Sequence, residues 1–255
     1  MAILQKIIND NIIQLIKNEM SETYEEELSI MFRWMESISL PAKPVIFDVG
    51  ANIGLFSLAY ANLFPNSLVY GFEPVPFIYK MYLENIKLNN KNIIDRIIPF
   101  EIGFSNKRQR LSLGIPNKET HKRYGNNINI GLYSVHAENN KKINASFTTI
   151  DTFVIEKKIN TIDLIKIDVE GHEYEVLDGA RQTIKKLKPI IVMEYNELTR
   201  RLSDHTAIDF QRYFNRYEYS IYALEYGWKK ELKKIISLKD ATNISDIVCI
   251  NNGDY

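Results

Sequence analysis

The chain has 255 residues, of which 45% are apolar, with 32 basic residues balanced by 32 acidic ones and a single cysteine. This length and apolar content suit one α/β domain with a real core, and the cancelled charge disfavours a generic nucleic-acid binder. One cysteine excludes an intrachain disulfide framework. No stretch has the length of a membrane span or the h-region of a signal peptide, so the expectation is a cytoplasmic protein.

Residues 3–40 read as two amphipathic helices, one with Ile8, Ile12, Leu15 and Ile16 on a face, the other with Leu28, Met31, Phe32 and Met35. They predict a helical cap over 1–42, serving either as a layer packed on the core or as a lid over a ligand. Strands and helices then alternate. VIFDV is a strand, 53–63 a helix, SLVYGF a strand, 74–89 a helix with Pro74 and Pro76 in its first turn, and RIIPFEIGF a strand. After an interruption come the strand DLIKIDV, a helix over 173–187, the strand PIIVMEY, a helix over 207–214, and the strands YSIYAL and DIVCI, the last burying Cys249. This order predicts an α/β fold: a single domain with a mostly parallel, Rossmann-like sheet covered by helices on both faces, its core at 43–105 and 149–255. Ligands of such sheets bind beyond the carboxyl ends of the strands.

The interruption, 106–148, carries eight basic residues against only Glu119 and Glu138, together with Gly114, Gly125 and Gly131. It reads as an insertion of hairpins and loops, either a solvated excursion or a substrate-recognition region. Tyr124 and Tyr133 are placed to stack on a sugar ring, and the positive charge suits an anionic acceptor. His121 and His136 also fall here, while His205 sits near a helix start and reads as structural or solvent-facing.

DVGANIG, at 48–54, is the stretch with the clearest ligand signal. Gly50 and Gly54 permit a sharp turn and a close backbone approach, with Ala51 and Asn52 between them, and the following helix aims free N–H groups at whatever lies there. Glu73 ends the next strand nineteen positions after Gly54, where an acid accepts bonds from a ribose diol, or alternatively caps the helix behind Pro74. A pyrophosphate wants bare glycine N–H groups with no acid beside them, and here Asp48 stands at the strand end. A zwitterionic or cationic nucleoside fits better, and S-adenosyl-L-methionine carries the amine, carboxylate, diol and sulfonium that would match.

DVGANIGLFS, GFEPVP, TIDTF, DLIKIDVEGHEYEVLDGA and IIVMEYNE together resemble the FkbM family of S-adenosylmethionine-dependent methyltransferases, from about Val45 to Glu197 and more loosely to Ile250. The resemblance implies a class I methyltransferase fold and transfer of a methyl group, usually to a hydroxyl of a glycan or natural product. It implies that the loop Asp48, Gly50, Ala51, Asn52 and Gly54 holds the methionine end, that Glu73 with Pro74 holds the ribose, and that the segment containing Gly103 and Ser105 flanks adenine.

The reaction centre is expected where DLIKIDV and PIIVMEY end. Asp168, Glu170 and Glu194 meet there, with Lys166 on the same face as Asp168. Asp168 is read as nearest the transferred methyl, and so also as a cofactor neighbour. His172 is read as the leading general base, with Asp168 or Glu170 as substitutes. The three carboxylates also offer oxygen ligands to Mg²⁺ or Ca²⁺, but no fixed metal-ligand spacing is present, so no metal is assigned. The leading function is O-methylation of a sugar hydroxyl in a glycan, nucleotide sugar or natural product. The rivals are N-methylation of a peptide or amino sugar, an NAD-type oxidoreductase, and a non-catalytic adenosine-binding domain.

Overall fold

The computed structural model describes residues 31–32, 34–114, 133–136, 142–224, 232–239, 244 and 246–253, with the backbone alone at 197–199. The expected first helix and much of the insertion, including His121, Lys122, Arg123 and Tyr124, lie outside the described residues. The elements in chain order are β1 (Val45–Val49), α1 (Leu55–Leu63), β2 (Leu68–Phe72), α2 (Pro76–Lys87), α3 (Lys91–Ile94), β3 (Ile97–Phe100), β4 (Gly103–Phe104), β5 (Gln109–Gly114), β6 (Lys142–Thr148), α4 (Ile150–Lys157), β7 (Leu164–Ile167), α5 (Glu173–Asp178), α6 (Arg181–Leu187), β8 (Ile190–Glu194), α7 (Glu197–Leu202), α8 (Ala207–Arg216), β9 (Tyr219–Ala223), β10 (Lys233–Ile235) and β11 (Asp246–Asn251).

Eight strands form one sheet in the order β10-β9-β11-β8-β7-β1-β2-β3. The run β8-β7-β1-β2-β3 is parallel, and β11 is antiparallel to both its neighbours. From β1 the chain builds the sheet outward through β2 and β3 on one side and, after returning, through β7 and β8 on the other, and this switch in strand order opens a crevice at the sheet's carboxyl edge.

Alternation along the strands sorts the core into two layers. Ile46, Val69, Leu164, Val192 and Val248 face α1 and the helical residues Met31, Phe32, Trp34 and Met35. Phe47, Val49, Ile165, Ile167, Ile191, Met193, Ile247 and Cys249 face α4, α5, α6 and α8. Cys249 is fully buried in β11, as the strand reading expects. Phe153 of α4 presents its ring edge to Phe47, Phe72, Phe100 and Phe104 at 5.0–6.0 Å.

Two expected elements divide. RIIPFEIGF is β3 only to Phe100; Gly103 and Phe104 leave the main sheet and pair with β6 in a second sheet ordered β4-β6-β5. The helix expected over 173–187 becomes α5 and α6. The Asp151 carboxylate accepts from the amides of Gln182 (3.0 Å) and Thr183 (2.7 Å), which starts a new helix there. The elements α3, α4, α7, β6 and β10 are additions to the sequence reading. Within the insertion, β5 and β6 form an antiparallel pair, and Gly114 bridges to Ser134.

Phe153→Ala is expected to lower stability by about 3–5 kcal/mol in urea unfolding. Ile155→Ala, two positions away at 75% exposure, is expected to stay within about 0.5 kcal/mol.

Candidate active site

Three loops converge at the carboxyl edge of β1, β2 and β7. In the first, Gly50, Asn52 and Gly54 all take positive φ (79°, 51° and 89°). A Cβ on Gly50 would fall 1.8 Å from the Asp168 carbonyl oxygen, so only glycine lets this loop lie against the end of β7. The amides of Gly50 and Ala51 donate to the Phe72 carbonyl at 3.0 and 2.9 Å, tying the loop to the end of β2. Glu73, only 5% exposed, completes the tie. Its Oε2 accepts from the Asn52 amide at 3.0 Å and its Oε1 from the Val75 amide at 2.9 Å. Burial pushes its carboxyl up to about 7, although the two N–H donors pull the other way. Pro74, between Glu73 and Val75, is half-buried.

Asp48 does not open into this loop. It lies on the α1 face, in register with Lys166, and is fully buried. Its Oδ2 accepts from Ser57 Oγ at 2.6 Å, and Ser57 in turn accepts from the Tyr82 hydroxyl at 2.6 Å. Lys166 Nζ stands 3.7 Å from Asp48 Oδ1 and 3.1 Å from Asp168 Oδ2. Burial works against the Lys166 charge, but Asp168 and Asp48 outweigh it and raise its pKa, while burial raises that of Asp48. The amine that Asp48 meets in the fold is therefore the chain's own.

Asp168, Glu170 and Glu194 offer carboxylate oxygens that all lie within 4.8 Å of one another. Glu170 sits in the left-handed region at φ 55°. Its turn is held by Glu173, whose Oε1 accepts from the amides of Val169 and Gly171, both at 3.1 Å. Burial also pushes Glu173 up to about 7. Burial first, then mutual repulsion led by Asp168, raises Glu170 and Glu194 well above the carboxylate range. Glu194 Oε1 accepts from Asn196 at 2.5 Å, while Oε2 has no hydrogen-bond partner. The raised pKa values of Glu170 and Glu194 make each a stronger proton acceptor when ionised.

His172 falls outside this trio. At 7% exposure, its Nε2 is 3.0 Å from Ser105 Oγ and its Nδ1 is 3.5 Å from Glu175 Oε2. Burial, with His136 and His205 nearby, depresses it to about 4. Ser105 is itself fully buried and also accepts from Gln109, and Gly103 packs against Phe147. The sequence reading passed over Ser57 and Tyr82, whose partners lie far away in the chain. Glu173 stands in the first turn of α5 and, two positions beyond Gly171, also reaches back to hold the turn before it.

The loop suits the methionine end and ribose of S-adenosylmethionine. Asn52 Oδ1 is buried without a partner, and each Glu73 oxygen keeps a lone pair beyond its backbone bond. A family model, the methyltransferase FkbM domain, matches residues 48–221. The chain belongs to the FkbM methyltransferase family. It is an S-adenosylmethionine-dependent methyltransferase domain with the class I Rossmann-like fold. Methyltransferase sdnD of Sordaria araneosa is 29% identical over 61% of this chain and 68% of its own length. The 2-O-methyltransferase NoeI of Sinorhizobium fredii is 26% identical over 70% and 75%. A crystal structure of methyltransferase FkbM from Methylobacillus flagellatus shares the fold at TM-score 0.55 and 15% identity; it covers 84% of this chain, which spans only 45% of that one. None of the described helices is long and apolar enough to cross a membrane.

Lys166→Met strands two acids and is expected to cost about 3–5 kcal/mol at pH 8. The loss shrinks as pH falls and the buried Asp48, its pKa raised by burial, takes up a proton, which pH-dependent urea unfolding would show. Glu73 has a folded-state pKa above its ordinary value, so its contribution to folding is greatest at low pH and is lost as pH rises through about 7. Donor hydroxyls of a ribose need its ionised form, so cofactor binding carries the opposite sign. Calorimetric affinity for S-adenosylhomocysteine is expected to rise about three- to tenfold from pH 6 to pH 8. Glu73→Gln should abolish that dependence.

Proposed function

We propose that this methyltransferase acts on a sugar hydroxyl, with an anionic sugar as the preferred acceptor. The observation that carries the reading is the carboxylate trio Asp168, Glu170 and Glu194, set at the sheet edge next to the glycine loop. The relatives agree in kind: NoeI is a 2-O-methyltransferase, and AglP of Haloferax volcanii, 26% identical over 63% of this chain, is a hexuronic acid methyltransferase.

Bound S-adenosylmethionine supplies an activated methyl group for in-line displacement. The chain's own part is to bind, to align and to move a proton. The unpartnered Asn52 Oδ1 accepts from the amine of the amino-acid end, and Glu73 holds the diol. Asp168, 3.1 Å from Lys166 Nζ, orients the acceptor hydroxyl. As the new carbon–oxygen bond forms, the hydroxyl proton passes to Glu170 or Glu194, whose raised pKa values suit them to receive it. A buried imidazole with a pKa of about 4 is poorly placed for that task, so the base is moved from His172 to the trio. Arg110, exposed on β5, supplies positive charge for an anionic acceptor; Arg108 already pairs with Glu156 at 2.5 Å.

Methyl transfer from labelled S-adenosylmethionine to uronic-acid oligosaccharides and nucleotide sugars tests this. Glu170→Gln and Glu194→Gln are each expected to lower kcat by about 10²- to 10⁴-fold while leaving S-adenosylhomocysteine affinity within about threefold. Full turnover in both variants would remove the trio from the chemistry, and a methylated amine as product would move the assignment to nitrogen. Replacing Arg108, Arg110, Lys122 and Arg123 with alanine is expected to raise KM for a charged acceptor and leave cofactor affinity unchanged.

A further inference from the structure

Behind the loop that carries Glu170 lies a second cluster which the methyl-transfer chemistry does not use. His136 Nε2, His172 Nδ1 and Glu175 Oε2 lie within 4.8 Å of one another. All three atoms are buried, and none has a hydrogen-bond partner. Three orphaned polar atoms turned toward one point would each carry a desolvation cost with nothing to offset it. We propose that His136, His172 and Glu175 bind a transition-metal ion of the zinc class, with water in the fourth position.

The geometry and the donor chemistry agree. His172 Nδ1 and Glu175 Oε2 are 3.5 Å apart, too far for a good hydrogen bond but close to the edge of a tetrahedron whose bonds are about 2.0–2.1 Å long. Two imidazoles and one carboxylate favour zinc and its neighbours over the hard cations Mg²⁺ and Ca²⁺, which take oxygen ligands. The outer contacts orient the ligands. His172 Nε2 lies 3.0 Å from Ser105 Oγ, so the Nε2–H tautomer donates there and presents its Nδ1 lone pair to a metal. Glu175 Oε1 lies 3.2 Å from His205 Nε2, and His205 stacks on Tyr174 with ring centroids 3.7 Å apart.

The ion would clasp the segment 133–136 onto α5. Ser134 in that segment donates from Oγ to the Glu170 carbonyl at 2.7 Å and pairs with Gly114. The clasp would thus fix the turn presenting Glu170 and tie the insertion to the core, making the site structural and separate from the carboxylate trio.

Purified full-length protein, stripped with chelator, should be titrated with Zn²⁺ alone and its bound metal measured after dialysis. We expect one Zn²⁺ per chain and a higher melting temperature with zinc than with chelator. His136→Ala and Glu175→Gln should each weaken binding at least about tenfold and abolish the thermal shift. Glu194→Gln should leave zinc binding unchanged. Co²⁺ should give the visible absorption of a four-coordinate ion. S-adenosylhomocysteine binding reports that each variant is folded. The proposal is overturned by a folded wild type that retains no stoichiometric zinc. It is equally overturned if zinc survives His136→Ala but is lost in Glu194→Gln, which would put the ion on the carboxylate trio.

Discussion

A buried ammonium between two acids organises this site. Lys166 lies on β7, directly in register with Asp48 on β1, and its side chain is about as buried as the apolar residues around it. Removing such a charge from water is costly, and it is tolerated because Asp48 and Asp168 stand on either side and the Phe56 ring lies 4.4 Å beneath it. The pairing locks the ends of the two central strands together. The Gly50 turn then presses on the Asp168 carbonyl, and the Asp168 carboxyl is left partly exposed at the edge.

The loops after β2 and β7 share a second device. Each is gathered by a buried glutamate whose oxygens accept backbone amides: Glu73 binds Asn52 and Val75, and Glu173 binds Val169 and Gly171. Both are raised to about 7 by burial. Loops stapled by carboxylates hold their shape without large side chains. Because burial raises both, the contribution of each to folding is greatest at low pH and falls as pH rises through about 7.

The sheet was legible because its strands are short apolar runs closed by glycine, proline or acid, and because parallel strands separated by helices admit few arrangements. The glycine loop and Glu73 were legible because their spacing from the strands fixes their place at the sheet edge. Partners were not. Asp48 was read as awaiting a ligand amine, yet the amine it meets belongs to Lys166, a long-range pairing set by strand register. His172 was read as a base from its position after a strand; the small sheet β4-β6-β5, which covers it through Phe147 and Ser105, is assembled from an insertion with weak periodicity. The divided helix at α5 and α6 depends on Asp151, thirty residues upstream, and no local pattern shows that.

The central claim is that the loops after β1, β2 and β7 form the cofactor site. Hydrogen–deuterium exchange of the wild type, with and without saturating S-adenosylhomocysteine, tests it most directly. The account predicts protection in peptides spanning 48–54, 73–75 and 168–171, with exchange in α8 and β9 unchanged. Binding that protects none of these three loops, or only segments elsewhere, would contradict it.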